Sequence, residues 1–145
     1  MFEVPEAAAV TDKNMKYKII VDLSKASDKP DSVNGSLDKL ARLINLHAEA
    51  GIPKANIDVV GVFHFAATTY ILSDEAYKKM YGIPNPNTQL INELAKNGVR
   101  FFVCGQSVRA RKIVDEPRNE NIKVALSALT TFTTFQNMGY ALILP

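Results

Sequence analysis

The apolar runs constrain this chain's fold more than any other feature. "KYKIIVDLS" (Lys16–Ser24), "NIDVVGVFHF", "VRFFVC", "IKVALSA" and the closing "YALIL" are short, rich in Val, Ile and Phe, and apolar at consecutive positions. A strand with one wet face alternates apolar and polar residues; these do not, so both of their faces must be covered. The segments between them carry helical spacing instead. "SLDKLARLINLHAEAG" sets Leu37, Leu40, Ala41, Ile44 and Ala48 on one face, with Ser36 as the expected N-cap and Gly51 as the stop. Ser73 with Asp74 and Glu75 marks a helix start inside 66–82, and "TQLINELAKNG" is a helix stopped at Gly98. "SVRARKI" reads as a brief helix, and "LTTFTTFQNMG" spaces Leu129, Phe132, Phe135 and Met138 three apart, as a helix packed on a sheet. "KASDKPDSVNG", "GIPNPN" and "DEPRNEN" are loops or turns. Strand and helix alternate, which predicts a parallel sheet with helices on both faces.

Composition narrows the function. A chain of 145 residues suits one domain, and no linker or repeat divides it. A net charge of +2 is too small to argue for nucleic acid, so none is expected as a partner. Arg109, Arg111, Lys112, Arg118 and Lys123 read as a solvated rim. A single cysteine excludes an internal disulfide, and Cys104, His47 and His64 lack zinc-ligand spacing. No apolar run reaches the roughly 18 residues of a membrane span. The start, "MFEVPEAAAVTDKNMK", lacks the regions of a signal peptide. It reads as a polar tail over 1–15 of a cytoplasmic protein; the alternative is a periplasmic protein whose leader has been removed.

Sites in open α/β sheets gather at the carboxyl ends of strands. Asp22 and Ser24, His64, Cys104 and Ser127 fall there. Cys104 stands out because a thiol at a helix N-terminus near cations loses its proton readily, and the thiolate is the nucleophile. Gly105 leaves the sulfur uncrowded, Gln106, Ser107 and Val108 can open a helix, and Arg109 and Arg111 add positive charge. The plain alternative is an inert buried thiol ending a strand. His64 can act as a base if its strand adjoins that of Cys104, or can simply be hydrogen-bonded in a loop. His47 lies on the apolar side of the first helix, a place for packing or a subunit contact.

Other chemistries fit poorly. "GQSVR" has Arg109 where a nucleophile elbow needs glycine, and no dinucleotide or P-loop glycine motif follows a strand. The loop "SKASDKPDSVNG" gives a flavin mononucleotide only weak support. "TTFTTF" reads as a packed helix face rather than a platform for bases.

"NGVRFFVCGQSVRAR" together with "VALSALTTFTTFQNMGYALI" closely resembles the DsrE/DsrF-like family of intracellular sulfur-relay proteins. The order of the Leu-rich helix, the "VVGVFH" strand, the cysteine strand and "QNMGYALI" also fits, and the similarity spans Lys16 to Pro145. The resemblance implies a single-domain, five-stranded parallel α/β sandwich, flavodoxin-like in outline, that assembles into homotrimers or hexamers. It implies that Cys104 accepts a persulfide sulfur from a donor protein and passes it to an acceptor protein, with no metal or organic cofactor. Without a second cysteine the persulfide cannot resolve internally, which favours a relay. His64 and Arg109 are candidates from position alone, Arg109 as a stabiliser of the thiolate. Two alternatives stand beside the relay. One is a cysteine-dependent hydrolase or acyl-transferase using Cys104 and His64; the other is a non-catalytic assembly subunit with a buried thiol. For assembly, "YALILP" leaves a sheet edge to be covered, and "FHFAATTYIL" is a candidate contact surface.

Overall fold

The computed structural model describes residues 4–9 and 11–145, so the start of the polar tail and position 10 lie outside the described residues. Five strands form one parallel sheet: β1 (Tyr17–Leu23), β2 (Ile57–Phe63), β3 (Arg100–Cys104), β4 (Ile122–Ala125) and β5 (Ala141–Ile143). Their order across the sheet is β4-β3-β2-β1-β5, so β4 and the closing β5 are its edges. Five α-helices connect them: α1 (Gly35–Glu49), α2 (Asp74–Tyr81), α3 (Thr88–Lys96), α4 (Gly105–Ala110) and α5 (Ala128–Asn137). Among the described residues no helix is long and apolar enough to cross a membrane.

The strand order decides which face each helix covers. From β1 to β4 the chain always steps the same way, and right-handed crossovers therefore put every connecting helix on one face. From β4 it returns across three strands to β5, which puts α5 on the other face. The core divides accordingly. Ile19, Val21, Leu23, Val59, Phe63, Phe101 and Val103 point toward α1 through α4. Ile20, Val60, Val62 and Cys104 point toward Ala128 and Phe132 of α5. Helices do cover both faces, but one face has four and the other a single helix of ten residues.

Local sequence explains most of the elements. The N-cap of α1 is Asn34, two residues before the expected Ser36. Its buried side chain accepts from the amides of Ser36 and Leu37 at 3.0 Å each and donates to the Lys25 carbonyl. Ser73 caps α2 as expected, accepting from the Ala76 amide, and α2 ends at Gly82 in the left-handed region (φ 80°). The "FHFAATTYIL" segment departs from expectation. Phe65–Ile71 is a 3-10 helix whose Ala67, Thr68, Thr69, Tyr70 and Ile71 are buried, so its apolar character serves the core. Only Phe65 among them faces water. Of the three-residue series on α5, Phe132 is buried but Leu129 and Met138 are exposed.

Candidate functional site

Cys104 ends β3 and is the N-cap residue of α4. The chain turns directly into that helix at Gly105, where an added Cβ would lie 2.7 Å from the Ala125 carbonyl oxygen. No side chain fits there, and this approach lets α4 begin hard against the end of β4. The sulfur thereby sits where two helices begin, and the Ser107 hydroxyl and the amides of Gln106, Ser107 and Ala128 bear on its ionisation. Burial by itself pushes the thiol up, because it disfavours the anion. These donors outweigh it and hold Cys104 below its ordinary value, the Ser107 hydroxyl foremost. Cys104 is only 6% exposed.

The Ser107 hydroxyl is itself placed by a neighbour. Its oxygen accepts the Phe65 amide at 3.3 Å. Phe65 holds a left-handed backbone (φ 50°) unusual for a bulky residue, and its carbonyl accepts from Arg111 Nε at 3.0 Å and Thr68 Oγ1 at 2.8 Å. Phe65 is 72% exposed, Leu126 73% and Leu129 77%, and Gln106 Nε2 donates to the Leu126 carbonyl.

Strands β1, β2 and β3 are neighbours, and the even-numbered residues Asp22, Val62 and Cys104 share the α5 face. His64 follows β2 with extended backbone (φ −160°, ψ 179°), so it continues that alternation one step past the pair Phe63 and Val103. Its ring meets Phe132 of α5 edge-on at 5.6 Å. Its Nε2 lies 3.1 Å from Asp22 Oδ1, off the line of a well-formed hydrogen bond. Both atoms are shut from water and have no other partner among the described residues. Burial pushes the Asp22 carboxyl up, but His64 and the hydroxyl and amide of Ser24 more than offset that and hold it below its ordinary value.

The expected site residues thus fall in two groups. Cys104 and His64 come together on one face at adjacent strand ends. Arg109 is exposed in the last turn of α4, and the groups acting on the sulfur are amides and a hydroxyl. Ser127, the fourth strand-end residue, caps α5 by accepting from the Thr130 amide at 3.0 Å. His47 belongs to packing: its Nδ1 is 2.9 Å from the Leu43 carbonyl oxygen and its ring meets Tyr17 at 4.7 Å. The sequence reading passed over the Ser107 hydroxyl, although Cys104 and Ser107 have the three-residue spacing of a helix cap and its N3 partner. It also left Asp22 unpaired, since nothing local announces a contact across two strands.

The family model of the DsrE/DsrF-like family matches residues 15–145, and the chain belongs to that family. Its fold is similar to that of two solved structures. One is MTH1491 from Methanobacterium thermoautotrophicum, a protein of unknown function, with TM-score 0.64 and 18% identity over 89% of this chain and 99% of that one. The other is the ychN protein from E. coli, with TM-score 0.63 and 20% identity over 88% of this chain and 97% of that one. No curated protein matches the sequence.

Proposed function

We propose that this chain is a sulfur-relay protein that accepts a persulfide sulfur on Cys104 and hands it to a further carrier. The observation that carries this reading is the cradle around the sulfur: two helix N-termini and the Ser107 hydroxyl converge on one thiol and favour its anion. The family, generally linked to sulfur relay, supports it. In the transfer, the Cys104 thiolate attacks the outer sulfur of a donor persulfide. The new bond joins Sγ to that sulfur, the donor's S–S bond breaks, and its electron pair leaves on the donor thiolate. The same donors that hold the thiolate suit the anionic persulfide that follows. No metal or organic cofactor enters the step. Arg109, exposed in the last turn of α4, adds positive charge for an anionic donor, and His64 handles the proton.

The partners in this reading are donor and acceptor proteins, and the protein itself is a homo-oligomer, trimer or hexamer. The thin α5 layer supports assembly, since Leu126, Leu129, Met138 and Leu144 are left exposed on or beside it. A hydrolase using Cys104 and His64 is less well supported. The amides that would bind an oxyanion act on the sulfur itself. Incubation of the native protein with a persulfide donor, followed by intact-mass spectrometry, tests the relay. One added sulfur, lost to reductant and absent from Cys104→Ser, is the expected result. A thiol that takes up neither sulfur nor iodoacetamide in the folded protein marks an assembly subunit instead.

A further inference from the structure

Asp22 is a half-buried carboxylate for which the relay just described assigns no work. It sits at the end of β1 with Oδ1 3.1 Å from His64 Nε2, and neither atom has another partner among the described residues or contact with water. A carboxylate placed like this, beside an imidazole, fixes that ring's orientation. The surroundings leave few competitors. The α5 helix, whose Phe132 packs on the His64 ring, carries no titratable side chain from Ala128 to Asn137. From α4, Arg111 is engaged with the Phe65 carbonyl. On the sheet face itself the titratable neighbours are Asp22 on β1 and Cys104 on β3.

We propose that Asp22 is a positioning residue that holds His64 as the proton carrier for Cys104. This inference rests on the relay reading and adds to it the fate of the proton. At rest the Cys104 thiol gives its proton to His64, leaving a thiolate and an imidazolium backed by the Asp22 carboxylate. When the thiolate takes the outer sulfur of R–S–SH, the departing R–S⁻ receives that proton from His64. The products are Cys104–S–SH, R–SH and a neutral imidazole, with charge and atoms balanced and no outside oxidant or reductant. Asp22 stays ionised throughout and touches neither sulfur.

The test compares wild type, Asp22→Asn, His64→Gln and the double variant by two readouts across pH 5–9. One is the rate of Cys104 alkylation by iodoacetamide; the other is the rate of sulfur loading from glutathione persulfide, read by intact mass. Thermal melting checks that each variant folds, and His64→Gln reads the same pair from its other side if Asp22→Asn does not. The expected result for Asp22→Asn is an alkylation midpoint raised by about one pH unit and sulfur loading slowed about ten-fold at neutral pH. The double variant should be no worse than His64→Gln, because Asp22 acts through that ring. A merely structural Asp22 lowers the melting temperature and leaves the profile's midpoint in place. If wild type loads sulfur and the Asp22→Asn profiles superimpose on it, the proposal is overturned and the relay stands. If wild type takes no sulfur while Asp22→Asn still shifts the alkylation midpoint, the relay falls and the positioning role of Asp22 is supported.

Discussion

Cys104 and Ser107 show how much a residue's chemistry owes to a few polar groups around it. The thiol is buried, which alone favours the neutral form, yet the Ser107 hydroxyl and three amides tip the balance toward thiolate. The sign of the consequence follows. Because the folded thiol is held below its ordinary value, the native protein carries thiolate at a pH where the denatured chain is still protonated. This favourable contribution to stability is fully present above the denatured value and is lost as pH falls through the folded one. The iodoacetamide midpoint of native Cys104 should therefore lie below that of the same protein in urea. Ser107→Ala should move the native midpoint up by about half a pH unit to one unit, leaving the urea midpoint unchanged. Gly105→Ala acts sterically, since its Cβ meets the Ala125 carbonyl. Urea unfolding should show a loss of about 1–3 kcal/mol, the usual cost of overpacking. At this scale the sequence singled out Cys104 and part of its surroundings. A cysteine before Gly105 at a strand end was legible, whereas the Ala128 amide, 24 positions away, was not.

Among the elements, α5 separates what periodicity can reveal from what it cannot. Residues three apart on a helix drift by about 60° per step, so a series of four turns through about half the circumference. Phe132 and Phe135 in the middle of the series meet the sheet; Leu129 and Met138 at its ends rotate out to solvent. The non-alternating strands correctly implied two covered faces, but sidedness depended on strand order and crossover hand, which no single segment contains. The end of α5 is pinned through Tyr140. Its ring packs on Phe135 at 4.9 Å and its hydroxyl donates to Asp58 while accepting from Arg100 Nη2 at 2.7 Å. The apolar part of that anchor should outweigh the polar part, because the Arg100–Asp58 pair is about half exposed. Tyr140→Ala should cost about 3 kcal/mol in urea unfolding, and Tyr140→Phe about 1 kcal/mol.

For the whole molecule, the return from β4 to β5 sets up two faces of unequal cover and two sheet edges. On the thinner side Leu129 and Met138, at the two ends of the α5 series, are left exposed. The family resemblance led to the expectation of a homo-oligomer, and of the two contact surfaces read from the sequence "FHFAATTYIL" is mostly core, with Phe65 exposed, while "YALILP" forms a sheet edge. Light scattering on the wild type should give a trimer or hexamer mass, and a Leu126→Asp, Leu129→Asp double variant should shift it toward the monomer; a wild-type monomer contradicts assembly. The relay itself depends on whether a donor can reach a thiol that is 6% exposed. Intact-mass spectrometry of native protein after incubation with a persulfide donor, beside Cys104→Ser, reads this directly. A single sulfur on the wild type, released by reductant and missing from the variant, is the predicted outcome. An unchanged mass, with Cys104 also closed to iodoacetamide until the chain unfolds, contradicts the account and makes the cysteine a structural end to its strand.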